Sequence, residues 1–300
     1  MYVQTGMRKG RAMERNRAEI KAIALDMDGT MLNVNSQVEP ELVDLFRQLK
    51  QKGIRIFVAT GRTFPEVRRV LPEHLEIDGV VTANGAVTYI GDRIISRRTL
   101  DPSVVREAVF QAGQKNIYYE VHTAEGVRFA LAKEKERMME EVFREKPDTL
   151  FANEWLSRKA ALKEKMVWLD HLVDEDIVKI YFFSMEPENI RKWRNELEQM
   201  KNRTPFTLLS SSKHNCEIMA DQVSKAYGLN LVLKEYQLAP AHLMVVGDSE
   251  NDLSMFALAS RAVAMQNAAD EIKENADEVT ELPYDENGLY HFLRKEFFGS

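Results

Sequence analysis

Cysteine is almost missing from this 300-residue chain, with Cys216 alone present. One thiol closes no internal disulfide and builds no thiolate metal site; it fits a reducing compartment, and a cytoplasmic location is expected. No apolar run approaches the about 20 residues of a membrane-crossing helix. No strong basic stripe is present and the net charge is −6, which argues against a nucleic-acid binder. The basic start, with Arg8, Lys9, Arg11, Arg15 and Arg17, has no apolar core behind it, so it does not read as a signal peptide. Residues 1–20 are expected to be a disordered leader, with Met7 and Met13 as alternative starts. The remainder, 44% hydrophobic and 29% charged, has the composition of an ordinary globular protein of one large or two moderate domains.

Two acidic motifs stand out. Asp26-Met27-Asp28-Gly29-Thr30 follows the apolar run Ile23-Ala24-Leu25, and Gly247-Asp248-Ser249-Glu250-Asn251-Asp252 follows Leu243-Met244-Val245-Val246. Apolar runs of this kind read as buried strands, and carboxylates at the C-terminal tips of parallel strands occupy the place where open α/β sheets bind ligands. Asp side chains gathered there repel unless a cation lies between them. Mg²⁺ suits a few carboxylates together with phosphate and water.

The pattern along the chain supports a doubly wound parallel sheet. Leu42, Leu45, Phe46 and Leu49 recur at helical spacing after Pro40, and Gly53 stops that helix. Ile54–Ala59 is the next strand, ending at Thr60-Gly61-Arg62; Thr63 and Glu66 form a candidate capping box; Gly79–Thr82 is a third strand, ending at Asn84-Gly85. The alternation then breaks. A hairpin around Gly91-Asp92 is followed by strand pairs and helices near 132–145 and 155–165. This reads as an α+β domain inserted over 100–212, with the α/β core made of 21–99 and 213–300. From Ser224 the first pattern returns: a helix, the strand at 243–246, helices over 251–259 and 268–275, and a short strand Arg261–Met265.

One of Asp26 and Asp28 can attack phosphorus to form an acyl phosphate, while the other protonates the leaving alkoxide and later deprotonates water. If the chain stays extended, both face the crevice. A nearby metal keeps Asp26 ionised, whereas Asp28 more readily holds a proton. Gly29 lets the chain turn away and Thr30 holds the loop by a local hydrogen bond. Asp248 supplies a further carboxylate. Asp252, four residues on, falls beneath it as an orienting group, or is a helix-start acid favoured by the macrodipole. Asn251 either caps the helix or bonds a phosphate oxygen. Thr60 and Gly61 form a phosphate cradle or an ordinary strand-to-helix turn. Lys225, unfavourable at a helix start, is offset if it lies among Asp26, Asp248 and phosphate; otherwise it is a solvated surface lysine. Arg62 is expected in a surface or inter-domain salt bridge.

Taken in order, Asp26-Met27-Asp28-Gly29-Thr30, Thr60-Gly61-Arg62, Lys225 and Gly247–Asp252 resemble the haloacid dehalogenase-like hydrolase superfamily. Asn84-Gly85-Ala86 and the tail Ala264–Ala268 with Ala276-Asp277 resemble its Cof-type sugar phosphatases, which carry a large α/β (C2-type) cap. The likeness runs from about residue 21 to the C-terminus. It implies a Rossmann-like core and an inserted cap that closes over the site and reads the leaving group. By resemblance, Asp26 is the nucleophile and Asp28 the acid/base. Mg²⁺ is held by Asp26, the Asp28 carbonyl and Asp248, with Asp252 in support. Phosphate is held by Thr60, Gly61, Lys225, Asn251 and the Met27 N–H. Ala226 and Gln266 depart from the family pattern without touching a charged role. Tyr118, Glu120, His122, Arg128 and Lys179 are the candidate specificity residues of the insert, though none is assigned to the site.

The resulting expectation is a Mg²⁺-dependent phosphatase of small phosphorylated metabolites, sugar phosphates first, without nucleic-acid or membrane partners, as a monomer or weak homodimer. The alternatives are a phosphomutase on the same scaffold and a non-catalytic phospholigand sensor. An intact Asp26/Asp28 pair speaks against the sensor.

Overall fold

The structure, a computed structural model, describes residues 19–299. The expected leader and the alternative starts at Met7 and Met13 lie outside the described residues, apart from Glu19 and Ile20. The chain forms two compact units. One takes the residues up to Arg62, Glu66–Ser96, and everything from Ser224 on; the other takes Thr63–Pro65 and Arg97–Val223.

The first unit is built on an eight-stranded sheet in the order Glu278–Val279, Arg261–Ala264, Leu243–Gly247, Ala22–Leu25, Arg55–Ala59, Gly79–Thr82, Val87–Ile90, Arg93–Arg97. The strands from Glu278–Val279 through Gly79–Thr82 are parallel, and Val87–Ile90 returns antiparallel. This is the α/β architecture expected from the strand–helix alternation. Ala22, Ala24, Phe57 and Val245 pack against Leu229 and Val232 of helix Lys225–Glu235 and against Met255 and Phe256 of helix Leu253–Leu258. Alternation turns Ile23, Leu25 and Ile56 to the opposite face. Helix Pro40–Gln51 buries Leu42, Leu45, Phe46 and Leu49 beside strand Arg55–Ala59. Burial of each such side chain is worth roughly 1.5–3 kcal/mol. Gly53, at φ +81, ends that helix in the left-handed conformation that favours glycine.

Register places the site. Leu25 pairs with Val246 on one side and with Val58 on the other. Asp26, Asp248 and Thr60 therefore leave three neighbouring strands at the same end of the sheet.

The second unit holds a six-stranded sheet in the order Thr207–Leu209, Asn215–Met219, Ile177–Phe183, Tyr118–Thr123, Arg128–Leu131, Met166–Leu169. All of its pairings are antiparallel except the last. One face carries Val121, Ile180 and Phe182 under helices Pro102–Gln114 and Pro187–Lys201, which contribute Val105, Val109, Trp193 and Leu197. The other face is polar: Glu120 is opposite Tyr181, and His122 is opposite both Lys179 and Arg128.

Several expected boundaries move. The first unit resumes at Ser224 and not at 213, because Asn215–Met219 pairs with Ile177–Phe183 inside the second sheet. The helix expected near 155–165 is Ala152–Ala160 followed by a wide turn Ala161–Lys165, and strand Met166–Leu169 comes directly after it. The helix expected over 268–275 is the single turn Asp270–Lys273. Helix Gly288–Phe298 has no counterpart among the expected elements. Among the described residues, no helix is long and apolar enough to cross a membrane.

Candidate active site

Asp26 continues the strand, its N–H donating to Val246 O at 3.0 Å, and it is buried. The chain then curls. The Met27 carbonyl accepts from the N–H groups of Thr30 (3.4 Å), Met31 (3.0 Å) and Leu32 (2.9 Å). The backbone is thus not extended here, so the condition behind the expectation that Asp26 and Asp28 face the same way is not met, although the charge of Asp28 still acts on Asp26. The Asp28 side chain is half exposed and is gripped by Arg62, whose Nε donates to Oδ2 at 2.8 Å and Nη2 to Oδ1 at 2.6 Å. Arg62 therefore has its partner inside the site. Thr30 does not bond locally either: its Oγ1 donates to Asp248 Oδ1 at 3.3 Å, across to the second motif. Gly29 has φ +78, and a Cβ there would stand 2.5 Å from Asp248 Oδ2.

In the second motif Ser249 is the helix cap. Its hydroxyl caps the turn Glu250–Asp252, and the Asp252 carboxylate reaches back as the other half of a capping box. Asp252 Oδ2 accepts from Ser249 N at 3.0 Å and Asp248 N at 2.9 Å. Asn251 is thereby freed from capping, which corrects that alternative. Its Nδ2 donates to Asn84 Oδ1 at 3.0 Å, and its Oδ1 accepts from Ser249 Oγ at 3.2 Å.

Lys225 begins helix Lys225–Glu235 behind the N-cap Ser224, whose hydroxyl accepts from Tyr227 N at 3.1 Å. It is completely buried, so the surface reading fails. Its ammonium donates to Asp26 Oδ1 and, at 2.6 Å, to Asp252 Oδ1. Its carboxylate neighbours are Asp26 and Asp252, where the sequence suggested Asp26 and Asp248. Burial alone would lower the Lys225 pKa, but the two carboxylates outweigh it and raise it.

Asp26, Asp248 and Asp252 each offer one oxygen within 4.8 Å of the others. Burial pushes the Asp26 carboxyl up to about 7, with Lys225 acting against it and the charges of Asp252 and Asp28 adding to it. Asp248 is raised well above the ordinary carboxylate range by burial first and by the Asp26 charge next. Asp252 spends both oxygens on Lys225 and backbone N–H groups, so it supports the pair formed by Asp26 and Asp248.

Thr60 is buried at the neighbouring strand end, and its hydroxyl accepts from Arg62 N at 3.1 Å. A Cβ on Gly61 would lie 3.3 Å from Asn84 Oδ1. Asn84 thus stands between the Thr60-Gly61 turn and Asn251. Met27 buries its side chain fully, which leaves its backbone to the loop.

In the second unit the five insert residues singled out by sequence lie on the polar sheet face. Glu120 is fully buried; it accepts from Tyr118 Oη at 2.6 Å, pairs with Arg128 Nε at 3.0 Å, and is bonded by Arg158. Burial would raise its pKa, but Arg128 and Arg158 hold it well below the usual range. Lys179 donates to Glu217 Oε1 at 3.2 Å. Arg158, on helix Ala152–Ala160, gave no signal in the sequence beyond a basic helical surface.

A parallel sheet with acidic strand tips and a buried lysine among them defines a class, and the comparisons agree. The haloacid dehalogenase-like hydrolase family model matches residues 23–293. The chain belongs to this family. It is 30% identical to phosphatase YwpJ of Bacillus subtilis over 92% of this chain and 99% of that protein. It is 29% identical to the 5-amino-6-(5-phospho-D-ribitylamino)uracil phosphatase YwtE of the same organism, over 91% and 97%. The solved structure of a haloacid dehalogenase-like hydrolase from B. subtilis superposes with a TM-score of 0.77 at 30% identity, over 92% of this chain and 99% of that one.

Proposed function

We propose that this chain is a Mg²⁺-dependent phosphatase of small phosphorylated metabolites, with sugar phosphates the first candidates, acting through an aspartyl-phosphate on Asp26. The observation that carries the reading is the meeting of Asp26, Asp248 and Asp252 with Lys225 at adjacent strand tips. Relatives named as phosphatases support the reaction class.

The donor set fits Mg²⁺. Asp26 and Asp248 offer hard carboxylate oxygens within 4.8 Å of one another, the donor type Mg²⁺ takes. Asp26, Asp248 and the Asp28 carbonyl would hold the ion. When bound, it supplies positive charge that keeps Asp26 ionised and screens the incoming phosphate.

Asp26 attacks phosphorus; the P–O bond to the leaving group breaks, and Asp28 gives that oxygen a proton. Asp28 then takes a proton from water as the water oxygen attacks phosphorus, releasing inorganic phosphate and restoring Asp26. The fork with Arg62 suits the ionised, proton-taking form of Asp28; acting as an acid requires the pair to open. Lys225 holds Asp26 in position, and Thr60, Gly61, Asn251 and the Met27 N–H hold the phosphoryl oxygens. Reading the leaving group is a role for the inserted unit, and none of its residues is assigned to it: Glu120, His122, Arg128 and Lys179 are buried within that unit. Buried Cys216, the only thiol in the sequence, supports a reducing, cytoplasmic setting. We expect a monomer or weak homodimer without nucleic-acid or membrane partners.

The test is turnover of an aryl phosphate and of a metabolite panel by the full chain with Mg²⁺. The panel includes 5-amino-6-(5-phospho-D-ribitylamino)uracil, the substrate printed in YwtE's name. Free phosphate as product, lost on chelation and in Asp26→Asn, is expected. An isomerised ester would mean a mutase. Binding without turnover would mean a sensor.

A further inference from the structure

The turn after strand Gly79–Thr82 does more than connect strands. Ala83 and Asn84 have φ +46 and +55, and Gly85 follows at +106. Left-handed backbone at successive non-glycine residues persists only where the surroundings over-determine it, and such segments cluster at functional sites. Here the surroundings are three of the motifs. Ala83 N donates to Arg62 O at 2.8 Å and Asn84 N to Thr60 O at 2.9 Å. A Cβ on Gly85 would fall 2.0 Å from the carbonyl of Ser224, the residue before Lys225. The Asn84 carboxamide oxygen accepts from Asn251 Nδ2 at 3.0 Å.

We propose that Asn84 is a positioning residue of the phosphate site: its carboxamide oxygen fixes the amide of Asn251, while its turn sets the spacing of Thr60-Gly61 and of the Lys225 helix. This rests on the phosphate-binding reading of Asn251. The Asn251 nitrogen carries two hydrogens, and Asn84 takes one. Ser249 Oγ donates to the Asn251 oxygen at 3.2 Å, which favours this orientation of the amide. The second hydrogen is therefore aimed before any phosphate arrives, and a preset donor needs no reorganisation during transfer. With 2% exposure, Asn84 is shielded from water that would compete for the bond.

Asn84→Gly removes the carboxamide and keeps the left-handed backbone, which glycine adopts readily. Three quantities are read on the full chain: kcat/KM for an aryl phosphate, the inhibition constant of inorganic phosphate, and Tm. Asn84→Gly is expected to lower kcat/KM and weaken phosphate inhibition by roughly 10- to 100-fold, with Tm near that of the parent. In an Asn251→Ala background the same substitution should change phosphate inhibition by less than about twofold, because the coupled partner is gone. Unchanged phosphate inhibition in Asn84→Gly, with only Tm lowered, would overturn the proposal, as would the full loss persisting without the Asn251 amide. If Asn251→Ala alone leaves phosphate inhibition intact, the underlying assignment of Asn251 fails, which is a different result from failure of Asn84.

Discussion

Arg62 holds both oxygens of Asp28 in a fork, Nε to Oδ2 at 2.8 Å and Nη2 to Oδ1 at 2.6 Å. The two residues end neighbouring strands and lie 34 positions apart in sequence. Two parallel hydrogen bonds fix the plane of the carboxylate as well as its place. If Asp28 protonates the leaving group, the need for it grows as the leaving group becomes more basic. Asp28→Asn is expected to lose roughly 10²- to 10⁴-fold on a poor leaving group and far less on a nitrophenol. Arg62→Ala removes the fork but leaves the acid, so its loss, about tenfold, should not grow with leaving-group basicity. A plot of log kcat/KM against leaving-group pKa for the three proteins checks this; a line for Asp28→Asn parallel to that of the parent would argue against the acid role.

Lys225 is a counter-ion buried between two acids. It and Asp252 have no exposed side-chain surface, and Asp26 retains 6%. Replacement by methionine keeps the packing and leaves buried carboxylates without their partner. Lys225→Met is expected to cost about 3–5 kcal/mol in urea unfolding with chelator present. Mg²⁺ should recover part of that loss, since it binds the same acids.

Gly29 marks where backbone and second motif come closest. Gly29→Ala puts a methyl 2.5 Å from Asp248 Oδ2 at a φ of +78. Asp248 must move, so the expected result is weaker Mg²⁺ binding by calorimetry together with lower turnover. Normal metal affinity would show that Asp248 has room to shift without consequence.

Acid should weaken the inserted unit through His122. Burial pushes its ring down from 6.5 to about 4, although Glu120 acts in the opposite direction. Nε2 stands 3.3 Å from Glu120 Oε2 without the alignment of a hydrogen bond. Between these values the unfolded chain binds the extra proton, so stability rises with pH there and is lost as pH falls through the window. The loss is at most about 3 kcal/mol. Urea unfolding on either side of the window should show it, and His122→Asn should flatten it.

Much of this site was legible because its acids follow apolar runs. Ile23-Ala24-Leu25 and Leu243–Val246 read as buried strands, as they are in the structure, so the positions of Asp26 and Asp248 came with them. Met166–Leu169 escaped because its four residues are mostly half exposed and directly follow a helix. Helix Gly288–Phe298 carries few fully buried side chains, Leu289 and Leu293 among them, so its apolar stripe is faint. The pairings Arg62–Asp28 and Asn84–Asn251 join strand tips far apart in sequence, and no local periodicity encodes them. The Ser249–Asp252 capping box, by contrast, was readable from its spacing. Asn251 competed with it as an equally plausible cap type.

The central claim is that Asp26 accepts the phosphoryl group. Borohydride reduces an acyl phosphate to an alcohol, so a trapped intermediate on this residue becomes homoserine. Enzyme mixed with substrate and Mg²⁺, quenched in mid-turnover, reduced and mapped by mass spectrometry should carry homoserine at position 26, and none when substrate is omitted. Steady turnover with Asp26 left unmodified, or with the mark on another residue, would contradict the account.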